Sequence, residues 1–158
     1  MKKRTILLLI LLVIATTANV SAQFYKAKKV AITEVVDKSG EVADGTKVYI
    51  RSALTDAITN SEGYEGYMNI NFNKFDMNFD STGNISSSTR NYLKKQLLDY
   101  ILISEITPLD KKTVLLSARI VNTSTGKIVA SSSVRTYASI DCLNSACCNL
   151  TIELVGSI

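Results

Sequence analysis

Three cysteines near the carboxyl end, Cys142, Cys147 and Cys148, carry the most reactive side chains of this 158-residue chain. A thiol works as a nucleophile or metal ligand only as the thiolate, and a neighbouring imidazole is the usual means of making one. The chain has no histidine. That removes the common general base near neutral pH, the commonest metal ligand and the ordinary base of a serine or cysteine nucleophile. What remains for the thiols is packing or oxidation. In an oxidising compartment an odd number leaves at least one unpaired or shared between molecules. Ile140, Leu143, Cys147, Leu150 and Leu154 recur at three and four residues, the stripe of an amphipathic helix from about Ser139 to Val155. On such a helix Cys142 and Cys147 are separated by about 7.5 Å in rise alone, beyond the usual Cα separation of a disulfide. Cys147 therefore reads as a small core residue. Cys142 and Cys148 read either as unpaired flanking thiols or as candidates for a bridge to a second molecule.

Carboxylates are the other route to acid–base chemistry. Asp37 with Glu41, Glu62 with Glu65, and Asp76 with Asp80 lie in or beside expected turns, where acids serve as solvated surface or helix-end residues. The seven glycines are scattered, and none has the spacing of a phosphate-cradling loop. The expectation is a chain that is not an enzyme, with no catalytic residues, no cofactor and no metal.

The amino terminus carries a different message. Met1-Lys2-Lys3-Arg4 is a cationic head, Ile6 to Ala15 is an almost unbroken apolar run, and Val20-Ser21-Ala22 supplies small residues ahead of Gln23. This is the pattern of a secretory signal peptide over residues 1–22, with cleavage between Ala22 and Gln23. The apolar run gives out at Thr16-Thr17, short of the roughly 20 residues that a membrane span needs. No cysteine near the cleavage point offers an acceptor for an amino-terminal lipid. The expected product is periplasmic or secreted, without a stable membrane anchor. Lys2, Lys3 and Arg4 leave with the leader, which reduces the 18 basic residues to 15 against 14 acidic ones. A mature charge near +1 lacks the basic footprint of a nucleic-acid binder. Taking 22 residues from 158 leaves 136, the size of one domain over residues 23–158.

The elements alternate. Lys29 to Val36 is β-branched and runs into the turn Asp37-Lys38-Ser39-Gly40, a strand. Ile50, Leu54, Ala57 and Ile58 keep helical spacing from Thr46 to Asn60, and Ser61-Glu62-Gly63 closes that element. Tyr64 to Phe72 alternates as a second strand. Ser87 to Leu98 is a helix capped by Ser87 or Ser88, with Tyr92, Leu93, Gln96 and Leu97 near one face. Tyr100-Ile101-Leu102-Ile103 is a continuous apolar run, the mark of a strand covered on both faces. Val114 to Val121 and Lys127 to Arg135 form a hairpin across Asn122 to Gly126. The fold class is α+β: one domain with a mixed five-stranded sheet in the order β-α-β-α-β-β-β-α, covered by helices. The strands at Val30 to Val36 and Tyr100 to Ile106 are expected to be inner ones. Tyr64, Tyr67, Phe72, Phe75 and Phe79, interleaved with Asn, form a candidate interaction surface.

Several of these segments resemble the periplasmic domain shared by CsgG, LpoB and the amino-terminal part of TolB. Val30-Ala31-Ile32 followed by Asp37 to Gly40 is similar to the family's opening strand and turn, and Leu54-Thr55-Asp56-Ala57-Ile58 to its L-T-x-A-L helix. Leu98 to Ile106 resembles its G-A-D-Y-V-L-x-G-x-I segment, and Ala118 to Val129 its A-R-L-V-D-x-x-T-G-x-I segment. The chain departs from the pattern at Leu97-Leu98 and over 69–79, and it has neither the lipid anchor nor the membrane hairpins of the curli pore. The resemblance implies a non-enzymatic module that docks to envelope proteins, or an assembly subunit that forms a homo-oligomer at the outer membrane. It also implies structural roles for Gly126 in the hairpin turn and for Asp99, which ends the second helix or caps a turn. A small-ligand receptor or enzyme built on acids, tyrosines and thiols is the remaining reading, and the absence of histidine argues against it.

The leader reading makes a direct prediction. Intact-mass analysis of the exported protein should show a chain beginning at Gln23 without a lipid adduct, and a retained Met1 would refute it.

Overall fold

The structure, a computed structural model, describes residues 26–68 and 85–158. The leader, the cleavage site at Ala22 and Gln23, the second half of the expected second strand and the segment 73–84 lie outside the described residues.

Five strands and three helices form the domain: β1 Lys28–Ile32, α1 Asp44–Thr59, β2 Tyr64–Tyr67, α2 Ser87–Lys95, β3 Tyr100–Pro108, β4 Thr113–Asn122, β5 Ile128–Tyr137 and α3 Ile140–Val155. The sheet order is β2-β1-β3-β4-β5. β1 runs parallel to both β2 and β3, and β3, β4 and β5 are antiparallel neighbours. This is the expected mixed α+β sheet, with β1 and β3 inside it. The hairpin turns at Gly126, whose φ of +76° suits a residue without Cβ. A side chain there would also press on Ile85 at 3.3 Å.

β3 explains the layering. Ile101, Leu102, Ile103 and Ser104 are all buried in succession, as a strand sandwiched between two layers requires. On one face Val30, Ile32, Leu102, Ile106, Leu116 and Ile120 meet α1 through Ile50, Leu54 and Ile58, and α3 through Leu143, Cys147, Leu150 and Leu154. Among the described residues the opposite face is covered more sparingly. Ala31, Ile101, Ile103 and Val121 pack against Ile85, Leu93 and Leu98, with the half-buried Tyr92 beside them.

Local chemistry sets the element ends. Asp37 accepts hydrogen bonds from the Ser39 amide (3.0 Å), the Ser39 hydroxyl (2.6 Å) and the Val42 amide (2.9 Å), which turns the chain toward α1. α1 starts at Asp44, two residues before Thr46, and this carboxylate at the helix amino end pairs with Lys47 at 2.7 Å. Ala53 rather than Ala57 completes its buried stripe. Ser86, one residue before the expected cap, caps α2 by accepting from the Thr89 amide.

Four expectations are corrected. β1 ends at Ile32, not Val36. After Thr33 the chain leaves the ladder, tucks Val35 into the core and rejoins β3 through a single parallel bridge from Val36 to Glu105. α2 ends at Lys95, and Leu97 adopts φ +55° and stands 71% exposed, so Leu93 and Leu98 carry the packing instead. Ile140, the first residue of α3, is 66% exposed, the buried stripe begins at Leu143, and Ala146 and Thr151 fill it out. Asp99 does not cap a helix or turn. Its carboxylate accepts from the Lys29 amide (2.9 Å) while its own amide donates to the Lys29 carbonyl (3.0 Å), which locks the start of β3 to β1.

Leu150 is buried at the centre of the α3 contact. Leu150→Ala should lower the unfolding free energy by about 2 to 5 kcal/mol in denaturant titration, as expected of a large-to-small core substitution.

Candidate functional site

The surfaces available for recognition follow from which parts of the sheet the helices leave bare. β2 is a short edge strand bonded only to β1 among the described residues. It is held close to α1 at Gly66, where an added Cβ would lie 2.9 Å from the Thr55 carbonyl oxygen. Arg51 fixes its end. The guanidinium donates to the Ile32 carbonyl through Nε (3.2 Å) and Nη2 (3.0 Å), and Nη2 also donates to the Met68 carbonyl.

Two of the five aromatics proposed from the sequence sit on this strand. Tyr64 packs partly against the main core, and burial pushes its phenol pKa up, with Tyr100 adding to the effect. Tyr67 is half-exposed, hydrogen-bonded to Glu65, which raises its phenol pKa, and the Lys29 ammonium stands 5.5 Å from its ring centroid. Tyr64 and Tyr67 are three residues apart on one edge, so the structure places both at the same border. Phe72, Phe75 and Phe79 lie outside the described residues.

The three cysteines are free thiols with unlike surroundings: Cys142 is half-buried, Cys147 buried and Cys148 exposed. Burial, with the neighbouring Cys148 second, pushes the Cys147 thiol from 9.0 up to about 12. Its sulfur faces the Ile50 carbonyl across the α1–α3 contact. Cys147 is therefore a packing residue, as its place in the helical stripe indicated.

A third surface escaped the sequence reading. Beyond the reach of α2, the second face of the sheet opens as a trough of about 420 Å³ lined by Glu105, Thr107, Ser117, Arg119, Ser131 and Ser133. Lys38 crosses to Glu105 at 3.1 Å at its border. Alternation in β4 and β5 implied one polar face, but no sequence signal told how far α2 would reach across it.

Asp37 and Asp110 are occupied with local structure. The hydrogen bond from the Ser39 hydroxyl, then that from the Val42 amide, holds Asp37 below the ordinary carboxylate range. Asp110 is lowered chiefly by the Thr113 hydroxyl and then by the Lys112 amide, with Arg135 nearby at 3.8 Å. Both are turn-builders, as acids in such positions commonly are. Among the described residues no three His, Cys, Asp or Glu side chains are grouped to hold a metal, and no helix is long and apolar enough to cross a membrane.

No protein-family model matches the sequence, and no curated protein matches it. Solved structures share the fold. The chain is similar to a PelC dodecamer from Paraburkholderia phytofirmans, with a TM-score of 0.54 at 14% identity over 84% of this chain and 87% of PelC. It is similar to TolB from Acinetobacter baumannii, with a TM-score of 0.56 at 11% identity over 84% of this chain but 28% of TolB. The C-terminal domain of LpoB from Salmonella enterica aligns at a TM-score of 0.51 and 13% identity, over 76% of this chain and 90% of that domain. At these identities the likeness is one of fold.

Thiol reactivity separates the three cysteines. In native protein a maleimide should modify Cys148 first and Cys142 more slowly, and should leave Cys147 untouched until denaturant is added. Rapid native labelling of Cys147, read by peptide mass spectrometry, would contradict its place in the core.

Proposed function

We propose that this chain is an exported, non-enzymatic interaction module of the cell envelope. The observation that carries the reading is the whole-domain likeness to PelC, to part of TolB and to the LpoB C-terminal domain, which agrees with the family resemblance of the sequence. On this reading Tyr64 and Tyr67 at the β2 edge belong to the docking surface for another envelope protein. The half-exposed Tyr67 ring, with the Lys29 ammonium beside it, offers apolar area and polar groups together. A signal peptide would deliver the domain to that compartment.

A second reading is an assembly subunit in the manner of the curli-secretion protein that the sequence resembles. The dodecameric state of PelC favours it, as do Ile140, Cys148 and Ile152, which stand exposed at a spacing of four or eight residues along α3. In that case Cys142 or Cys148 joins copies covalently where the compartment is oxidising.

The test uses the chain from Gln23 to Ile158, immobilised and exposed to solubilised envelope. A defined envelope protein should be retained, and Tyr67→Ser should reduce its retention at least tenfold while leaving the melting temperature of the domain unchanged. Retention unaffected by Tyr67→Ser would remove β2 from the docking surface, and a purely homo-oligomeric eluate would favour the second reading.

A further inference from the structure

The other border of the sheet carries chemistry of its own. β5 spans ten residues, Ile128–Tyr137, and is bonded to β4 alone among the described residues. Its pairing fixes which backbone groups are free. The Ala138 amide donates to the Lys112 carbonyl at 2.8 Å, and the register then pairs Thr136 with Val114, Val134 with Leu116, Ser132 with Ala118 and Ala130 with Ile120. In an antiparallel ladder, residues that exchange hydrogen bonds alternate with residues that do not. The even-numbered residues of β5 are therefore spent on β4, and Ser131, Ser133, Arg135 and Tyr137 direct both amide and carbonyl outward.

Such an edge recruits an extended strand unless the sequence protects it with proline, several charges, or a bulge along its length. β5 has no proline and one charged residue, Arg135. Its register shift lies at the start, between Ile120 and Val121 on the partner strand, and leaves Ser131 to Tyr137 regular.

The geometry points to a second copy of β5 as the strand that completes this edge, in a two-fold antiparallel pair centred on Ser133. The side chains of this register are complementary to themselves. Ser133 meets Ser133 of the other copy, and the lone charge of each strand, Arg135, meets the hydroxyl of Ser131. No like charges oppose one another. Beyond this regular stretch Tyr137, 62% exposed in the single chain, comes toward Val129 at the register shift, 39% exposed, an aromatic near a β-branched residue. Two five-stranded sheets would become one of ten strands, and the two polar troughs would run together across the join. Pairing through one strand covers less surface than a standard interface, so the association is expected to be weak and concentration-dependent. The inference concerns a different border from β2 and leaves that strand free for another partner.

Light scattering over a wide concentration range, with amide hydrogen exchange, tests it on the chain from Gln23 to Ile158. The wild type should move from monomer to dimer, and the amides of Ser131, Ser133, Arg135 and Tyr137 should gain protection as it does. Ser133→Lys sets two ammonium groups face to face and should weaken the dimer about fivefold or more. Ser131→Glu sets a carboxylate opposite Arg135 at two places and should strengthen it roughly two- to thirtyfold. Both substitutions fall on exposed side chains, and unchanged circular dichroism would show that the fold is retained. A wild type that stays monomeric throughout, or an assembly whose mass ignores both substitutions, would overturn the proposal. An assembly of that last kind would still be compatible with the interaction function proposed above.

Discussion

The burial of β3 on both sides is the constraint from which the rest of the domain follows. Four consecutive residues, Ile101 to Ser104, are removed from solvent, and no single layer of helices can do that. The strand demands α1 and α3 on one side and α2 with Ile85 on the other. Its start is fixed by the paired hydrogen bonds between Asp99 and Lys29. The buried Thr123 hydroxyl adds to this by donating to the carbonyls of Leu98 and Asp99, so the hairpin end is tied to the same point.

Among the described residues the two covers are unequal. α1 and α3 are sixteen residues each and roof the first face from β1 to β5. α2 is nine residues long and reaches only the region around Ala31, Ile101 and Val121. Among the described residues, small hydroxyl side chains and opposed charges line what α2 leaves open, in place of a large apolar patch. Both borders of the sheet also keep free backbone groups among the described residues. A domain built in this way offers edges and a polar face; Cys147 is buried and Asp37 and Asp110 are engaged in turns, while Cys148 stands exposed.

Much of this was legible in the residues because their patterns are strong and local. The run Tyr100 to Ile103 could only be a two-sided strand, Asn122 to Gly126 carried turn chemistry, and Cys147 lay in step with Leu143, Leu150 and Leu154. The misreadings share one cause, the tertiary limit of a periodic pattern. Ile140 keeps the spacing of the stripe, yet it is the first residue of α3 and stands 66% exposed, the stripe being buried only from Leu143 on. Leu97 keeps the apolar character of α2, yet the helix has already ended in order to bring Leu98 inward. Val36 continues the β-branched run of β1, but the chain must leave the ladder to bury Val35. The candidate surface was half legible: the alternation from Tyr64 to Phe72 marked a strand, of which Tyr64–Tyr67 is described, but its position at a border depends on pairing between distant segments. The trough was not legible, since its extent is set by where α2 stops.

Native-state hydrogen exchange on the domain from Gln23 to Ile158 tests the central role of β3 most directly. The amides of Ile101 to Ser104 should exchange only through global unfolding, with denaturant dependence equal to that of the whole domain, while α2 amides open at lower free energy. Exchange of the β3 amides at or below the free energy of α2 would contradict the account, because the strand would then be supported by its covers instead of organising them.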